Sequence, residues 1–152
     1  MELPIDINIE RSPSPAVMQR ALKVLCPELA QELTSKITPL SSEKSLIETV
    51  YASIISKYTD LDRTDTCILF TAVVYRIYAP AVFLGEGFCK LPIGIRDEAA
   101  RVSGFISPEM INYFLEMAKV YVTRPYFEAR VKDLIEEAGL NYQDLNITHD
   151  FK

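Results

Sequence analysis

With 152 residues, the chain fits one domain and can bury roughly 68–70% of the surface its unfolded form exposes. Its 49% hydrophobic and 24% charged residues are ordinary proportions for a globular protein. A net charge of −5 and a pI near 4.9 oppose non-specific binding to nucleic acid or to an anionic membrane.

The chain opens on a clean alternation. Leu3, Ile5, Ile7 and Ile9 fall on one side, and Asp6, Asn8 and Glu10 on the other. That period of two predicts an extended arm over residues 1–11. No second strand pattern follows to pair with it, and an isolated strand is not stable. The arm must therefore lie on helices or on another chain. The same stretch lacks a basic segment followed by an apolar one, so no secretion signal is read and a cytoplasmic protein is expected. Cys26, Cys67 and Cys89 are odd in number and widely spaced, which reads as reduced, small core residues.

Ser14 and Pro15 predict a helix start, one as cap and the other at the first helical position. This helix runs to about Leu25, with Val17, Ala21, Val24 and Leu25 expected inward. Pro27 begins a short helix with Leu29, Leu33 and Ile37 four residues apart, stopped by Pro39. Ser41 or Ser42 is expected to cap the next helix, which extends to Tyr58. Its stripe of Ile47, Val50, Tyr51, Ile54 and Tyr58 is the clearest amphipathic face in the chain.

Residues 67–84 form an almost uninterrupted apolar run with one charge, Arg76. A spanning helix needs about 20 apolar residues, and a central charge costs on the order of 3 kcal/mol. Pro80 ends the helix near Tyr78, leaving a stretch from Asp65 too short to span. Apolar residues on all sides instead mark a buried central helix over 65–78. Arg76 then either packs its stem and reaches water or a carboxylate, or forms a buried arginine–carboxylate pair at a site. The first outcome is the expected one, because long basic side chains normally lead their charge outward.

An irregular connection covers 85–94. A short helix follows from Ile95 to Val102, with an Asp97–Arg101 pair and a stop at Gly104. Another is expected from Ser107 to Val122, with Glu109, Asn112, Glu116 and Lys119 as a narrow polar strip. Arg124-Pro125 breaks it from a last helix ending at Gly139, where Ile135 and Leu140 have the spacing of a Schellman contact. Residues 141–152 read as a polar tail. The fold class is thus all-α: a single-domain bundle of about six or seven helices over 12–140, around a buried central helix.

The chemical inventory is sparse. His149 is the sole histidine and lies near the end, which excludes buried Ser-His or Cys-His catalysis within one chain. No Cys or His pair has metal-ligand spacing. Asp60, Asp62 and Asp65 do not form a calcium loop of the EF-hand kind, since its sixth and twelfth positions hold Asp65 and Thr71 instead of glycine and glutamate. They read as acids favoured at a helix start. Gly85 and Gly87 lack the Gly-Lys-Ser/Thr of a phosphate loop. No catalytic residue, metal or cofactor is assigned.

These readings favour a non-enzymatic subunit or adaptor in a protein assembly, with itself or another protein as partner. The expected contacts are Leu3, Ile5, Ile7 and Ile9 of the arm and Met110, Phe114, Met117 and Tyr121 of the 107–122 helix. An alternative is a DNA-associated factor using a helix-turn-helix outline over 98–114, with Arg101 and Asn112 as contacts. The early residues of its second helix include no Arg or Lys, which argues against nucleic acid. A third reading is an enzyme or anion-binding protein around Arg76, Lys90 and Arg96.

Overall fold

Among the residues that the computed structural model describes, 14–84, 90–105 and 107–145, the chain is all-α. The arm over 1–11, Cys89 and His149 lie outside them. The order is α1 (Pro15–Leu25), α2 (Pro27–Ile37), α3 (Ser45–Lys57), α4 (Arg63–Tyr78), a 3-10 turn (Pro80–Phe83), α5 (Ile95–Ser103), α6 (Met110–Tyr121) and α7 (Pro125–Glu137). No described helix is long and apolar enough to cross a membrane. The chain divides into two compact units, residues 1–35 and 36–152.

In the first unit, the Ser14 hydroxyl accepts the Val17 N–H and Pro15 occupies the first turn of α1, so the expected start is met. Cys26 closes α1 by donating its N–H to the Leu22 carbonyl, and α2 begins at the next residue. Among the described residues, α1 and α2 do not pack side by side. A single linking residue is shorter than the 2–5 residues by which an antiparallel helix pair reverses direction. The inward placement expected for Val17, Val24 and Leu25 fails: all three are exposed, and α1 buries no residue at all. Cys26 is half-buried at the elbow and is therefore not the core cysteine its composition suggested, whereas Cys67 is buried.

The second unit is organised by α4. Asp62 caps it, its Oδ1 accepting the Asp65 N–H at 2.7 Å, so the helix begins at Arg63, slightly earlier than expected. It stops at Tyr78 because Pro80 cannot continue it. Every residue from Thr66 to Tyr78 is buried. Helices α3, α5, α6 and α7 and the 3-10 turn all contact it. Each Ile, Leu, Val or Phe so enclosed contributes about 1.5–3 kcal/mol relative to exposure, which is why this helix specifies the core.

The neighbours are tied to α4 at both ends. At its start, Arg63 donates to the Tyr51 hydroxyl at 3.0 Å and to the Ser103 carbonyl at 2.6 Å, linking α3, α4 and α5. At its end, the Tyr78 hydroxyl donates to the Glu43 carbonyl, and burial pushes that phenol up to about 12. An aromatic run from Tyr51 through Phe70 and Phe105 to Phe114 crosses the unit, with ring centroids 5.1–6.4 Å apart. Helix α7 ends as its sequence predicts. Gly139 is left-handed (φ 83°), the Leu140 N–H meets the Ile135 carbonyl, and the Gly139 N–H meets the Glu136 carbonyl.

Two further helix starts differ from expectation. Ser41 does not cap α3; its hydroxyl accepts the Glu43 N–H in a local turn, and the helix begins at Ser45. Residues 107–109 turn before α6 begins at Met110. At Ser41 the serine side chain closes its own turn first, a competition that serine favours, and at 107–109 the Met110 N–H meets the Ser107 carbonyl. The Asp97–Arg101 pair also does not form; Arg101 pairs with Glu98 and, at 3.6 Å, with Glu48.

Candidate functional site

Three features of the molecule bear on function: an exposed apolar face on α1 and α2, a buried ionic cluster at α4, and an open groove beside α6.

The first follows from local sequence alone. Val17, Met18, Ala21, Leu22, Val24 and Leu25 lie on one side of α1; Gln19, Arg20 and Lys23 lie on the other. On α2, Leu29 and Leu33 are one turn apart, flanked by Glu28 and Glu32. The large apolar residues Val17, Met18, Val24, Leu25, Leu29 and Leu33 are 38–72% exposed. Single exposed apolar residues are normal, whereas several on one face of a helix form the kind of surface that partners cover. Helix α1 carries the bases Arg20 and Lys23, whereas α2 carries the acids Glu28 and Glu32 and, in its last turn, the base Lys36.

The second feature settles what Arg76 does. Its guanidinium does not reach water. It makes a two-pronged pair with Glu128 of α7, Nη1 to Oε2 and Nη2 to Oε1, both at 2.6 Å. The arginine side chain is 1% exposed and the glutamate 11%. The expectation of an outward-led charge therefore fails, because helices enclose α4 on every side at this level and its stem has no open path. The guanidinium also lies over the Phe83 ring, 5.1 Å from its centroid, and 5.8 Å from that of Tyr142. The Tyr142 hydroxyl donates to the same carboxylate.

Burial pushes the Glu128 carboxyl above its ordinary value, while Arg76 and the Tyr142 hydroxyl draw it back. Burial and the neighbouring carboxylate push the Tyr142 phenol well up. The cluster also corrects the reading of residues 141–152 as a merely polar tail: within the described part, Tyr142 packs on the core and Leu145 is buried. Geometrically this is a strut between α4, α7 and the segment beyond Gly139. Arg76 and Glu128 line neither the groove beside α6 nor the smaller one between Leu61 and Arg130.

The third feature brings together two of the three bases named for anion binding. Lys90 and Arg96 line an open groove of about 630 Å³ with Lys119, Asp97 and Glu116, over a floor that includes Tyr75, Val82 and Leu115. Arg76 is not among its walls. Lys119 pairs with Glu116 at 3.3 Å. The groove thus mixes bases and acids instead of concentrating one sign.

The other residues named from sequence fall as follows. Phe114 is buried, and Met110, Met117 and Tyr121 are half-buried, along one edge of the face that α6 turns to the core through Ile111, Leu115 and Ala118. The large apolar residues that α6 exposes, Tyr113 and Val120, adjoin that stripe, three residues beyond Met110 and Met117 respectively. Leu3, Ile5, Ile7 and Ile9 lie outside the described residues. Arg101 and Asn112 are both exposed, on α5 and α6. Arg101 is engaged by two carboxylates, and the Asn112 amide accepts from the Tyr75 hydroxyl at 3.5 Å. Among the described residues no group of acidic, Cys and His side chains has the arrangement of a metal site. The chain matches no family model, no curated protein and no solved structure, so its own residues carry the functional reading.

Proposed function

We propose that this chain is a non-enzymatic subunit of a protein assembly and engages its partner through the apolar face of α1 and α2. One observation carries the reading: α1 buries no residue, while the large apolar side chains of α1 and of α2 up to Leu33 stand exposed. Helices shorter than about 12–15 residues are marginal on their own in water, and in proteins they persist because an amphipathic face is covered. Both helices are 11 residues long. Covering that face is therefore what makes them stable, and association supplies the cover.

Hydrogen exchange on the full chain tests this at the lowest workable concentration. The amides of residues 15–35 are expected to exchange far faster than those of α4, and to gain protection on association. If residues 15–35 were as protected as α4 in a dilute monomer that also failed to bind a hydrophobic dye, the stripe would be satisfied within the chain and the reading would be lost.

A further inference from the structure

A cleft of about 180 Å³ lies between the start of α4 and the start of α7. Asp65 and Leu69, four residues apart, share one face of α4 and both line it. Phe127 and Arg130, three apart, share one face of α7 and line it from the other side. Leu69 and Phe127 are buried and, with the half-buried Leu61, give the cleft an apolar floor. The Tyr121 ring meets that of Phe127 edge-on, with centroids 5.4 Å apart, and Tyr126 stands exposed beside them.

Three charged groups line the same cleft: Asp65, Arg124 and Arg130. No ion pair among the described residues includes any of them. Both guanidiniums are laid over aromatic rings instead, Arg124 over Tyr121 at 4.4 Å and Arg130 over Tyr58 at 4.8 Å. A guanidinium stacked on a ring keeps the N–H donors along its edge for an anion.

We infer that this cleft binds a free α-amino acid with an apolar side chain, such as leucine. Its carboxylate is held by Arg124 and Arg130, its ammonium by Asp65, and its side chain by Leu61, Leu69 and Phe127. The site lies apart from the α1–α2 face and does not rest on the proposed assembly function.

The charge set selects this class. Two arginines alone would suit a phosphate or a dicarboxylate, but the Asp65 carboxylate in the same cleft opposes a dianion. A ligand that carries a cation beside its anion answers all three groups. Size follows from the volume. An apolar cavity of about 150 Å³ holds a benzene ring, so this cleft takes one side chain and leaves the polar head at its mouth. An apolar floor with a few polar groups that fix orientation is the usual composition of a small-molecule site.

The test is isothermal titration calorimetry of the full chain with L-leucine, N-acetyl-L-leucine, L-leucine methyl ester and glycine. Leucine is expected to bind one per chain in the millimolar range or tighter, and glycine not to bind measurably. The acetyl compound lacks the ammonium and the ester lacks the carboxylate. Each is expected to bind at least about tenfold more weakly than leucine, because each loses hydrogen bonds between charged groups. Asp65→Asn is expected to weaken leucine about tenfold while leaving N-acetyl-leucine unchanged, and Arg130→Gln to weaken both. Circular dichroism checks that each variant folds, and the ligand series on the wild-type chain decides the matter if one does not.

Absence of binding by leucine, valine, methionine and phenylalanine alike overturns the site. N-acetyl-leucine binding as tightly as leucine also overturns the proposal, since it would assign the cleft to the C-terminal residue of a peptide. Leucine binding that is unchanged in folded Arg130→Gln places the ligand elsewhere and overturns it as well.

Discussion

Helices α1 and α4 make opposite uses of apolar sequence. In α1 the apolar residues keep to one face, the pattern that ordinarily predicts a helix lying on its own core, yet it buries nothing. In α4 they surround the helix and include an arginine, the pattern that ordinarily raises the question of escape to solvent, yet everything from Thr66 to Tyr78 is enclosed. An amphipathic stripe specifies that a face will be covered, without specifying by which chain. An apolar helix with a single charge specifies more, because the enclosing chain must also supply the countercharge.

The largest expected effect breaks that countercharge. Arg76→Met leaves Glu128 buried without its cation, and removing one partner of a buried pair costs about 3–5 kcal/mol. Urea unfolding at neutral pH measures it. Replacing both residues, as Arg76→Met with Glu128→Leu, is expected to recover most of the loss, because an apolar pair of similar volume needs no desolvated charge. If the double variant were as unstable as the single one, the pair would be contributing packing that methionine and leucine cannot supply.

The single variant also carries a pH dependence whose sign follows from burial. The Glu128 carboxyl already lies above its ordinary value because it is buried, and Arg76 restrains it. Without Arg76 it rises further. A group whose folded value exceeds its unfolded one favours the folded state below the unfolded value, and loses that contribution as pH rises through the folded value. Arg76→Met is therefore expected to regain stability as pH falls from 8 towards 5, with a slope of at most about 1.4 kcal/mol per pH unit. Unfolding midpoints across that range, compared with Arg76→Met/Glu128→Leu, isolate the contribution of this carboxyl.

Much of this contrast was legible in the sequence, and the part that was not has a physical reason. The spans of α1 and α2, the end of α4 at Tyr78 and the close of α7 at Gly139 depend on neighbouring residues, and local patterns predict them. The starts of α3 and α6 depend on a competition between a cap and a turn, as Ser41 shows. The Arg76–Glu128 pair joins residues 52 apart, and any of 21 acids might have answered the arginine. A signal did exist: Glu128 shares a face with Val131 and Ile135, so it sits on the apolar side of α7 where a carboxylate needs a reason. For α6, the residues singled out for a partner lie along the edge of the core-facing side, Phe114 buried and Met110, Met117 and Tyr121 half-buried. A stripe chosen by spacing alone does not say which side of a helix the core will take.

A smaller effect is expected at the edge of the cluster. Tyr142→Phe keeps the ring beside Arg76 and removes only the hydroxyl that donates to Glu128. The carboxylate retains the arginine, so the loss is that of one hydrogen bond to a charged group, about 1.5–3 kcal/mol. Thermal unfolding of this variant reads it. A loss as large as that of Arg76→Met would mean that the segment beyond Gly139, and not the ion pair, holds this end of the core.

The smallest expected effect is the sharpest for the comparison. V24E/L33E places two charges on residues that already face solvent, so the unfolding free energy of the α4-centred unit should change by no more than about 0.5 kcal/mol. The same substitution in α4 would be ruinous, since a buried unpaired charge is not tolerated. Near-UV circular dichroism, which reads the packed tyrosines and phenylalanines around Phe70 and Phe114, should be unchanged in the variant. A helix pair that can accept two glutamates without disturbing that core, while losing the partner proposed for it, is held by something other than its own chain. A core that melted early in V24E/L33E would instead assign the stripe a place inside the monomer and erase the distinction between α1 and α4.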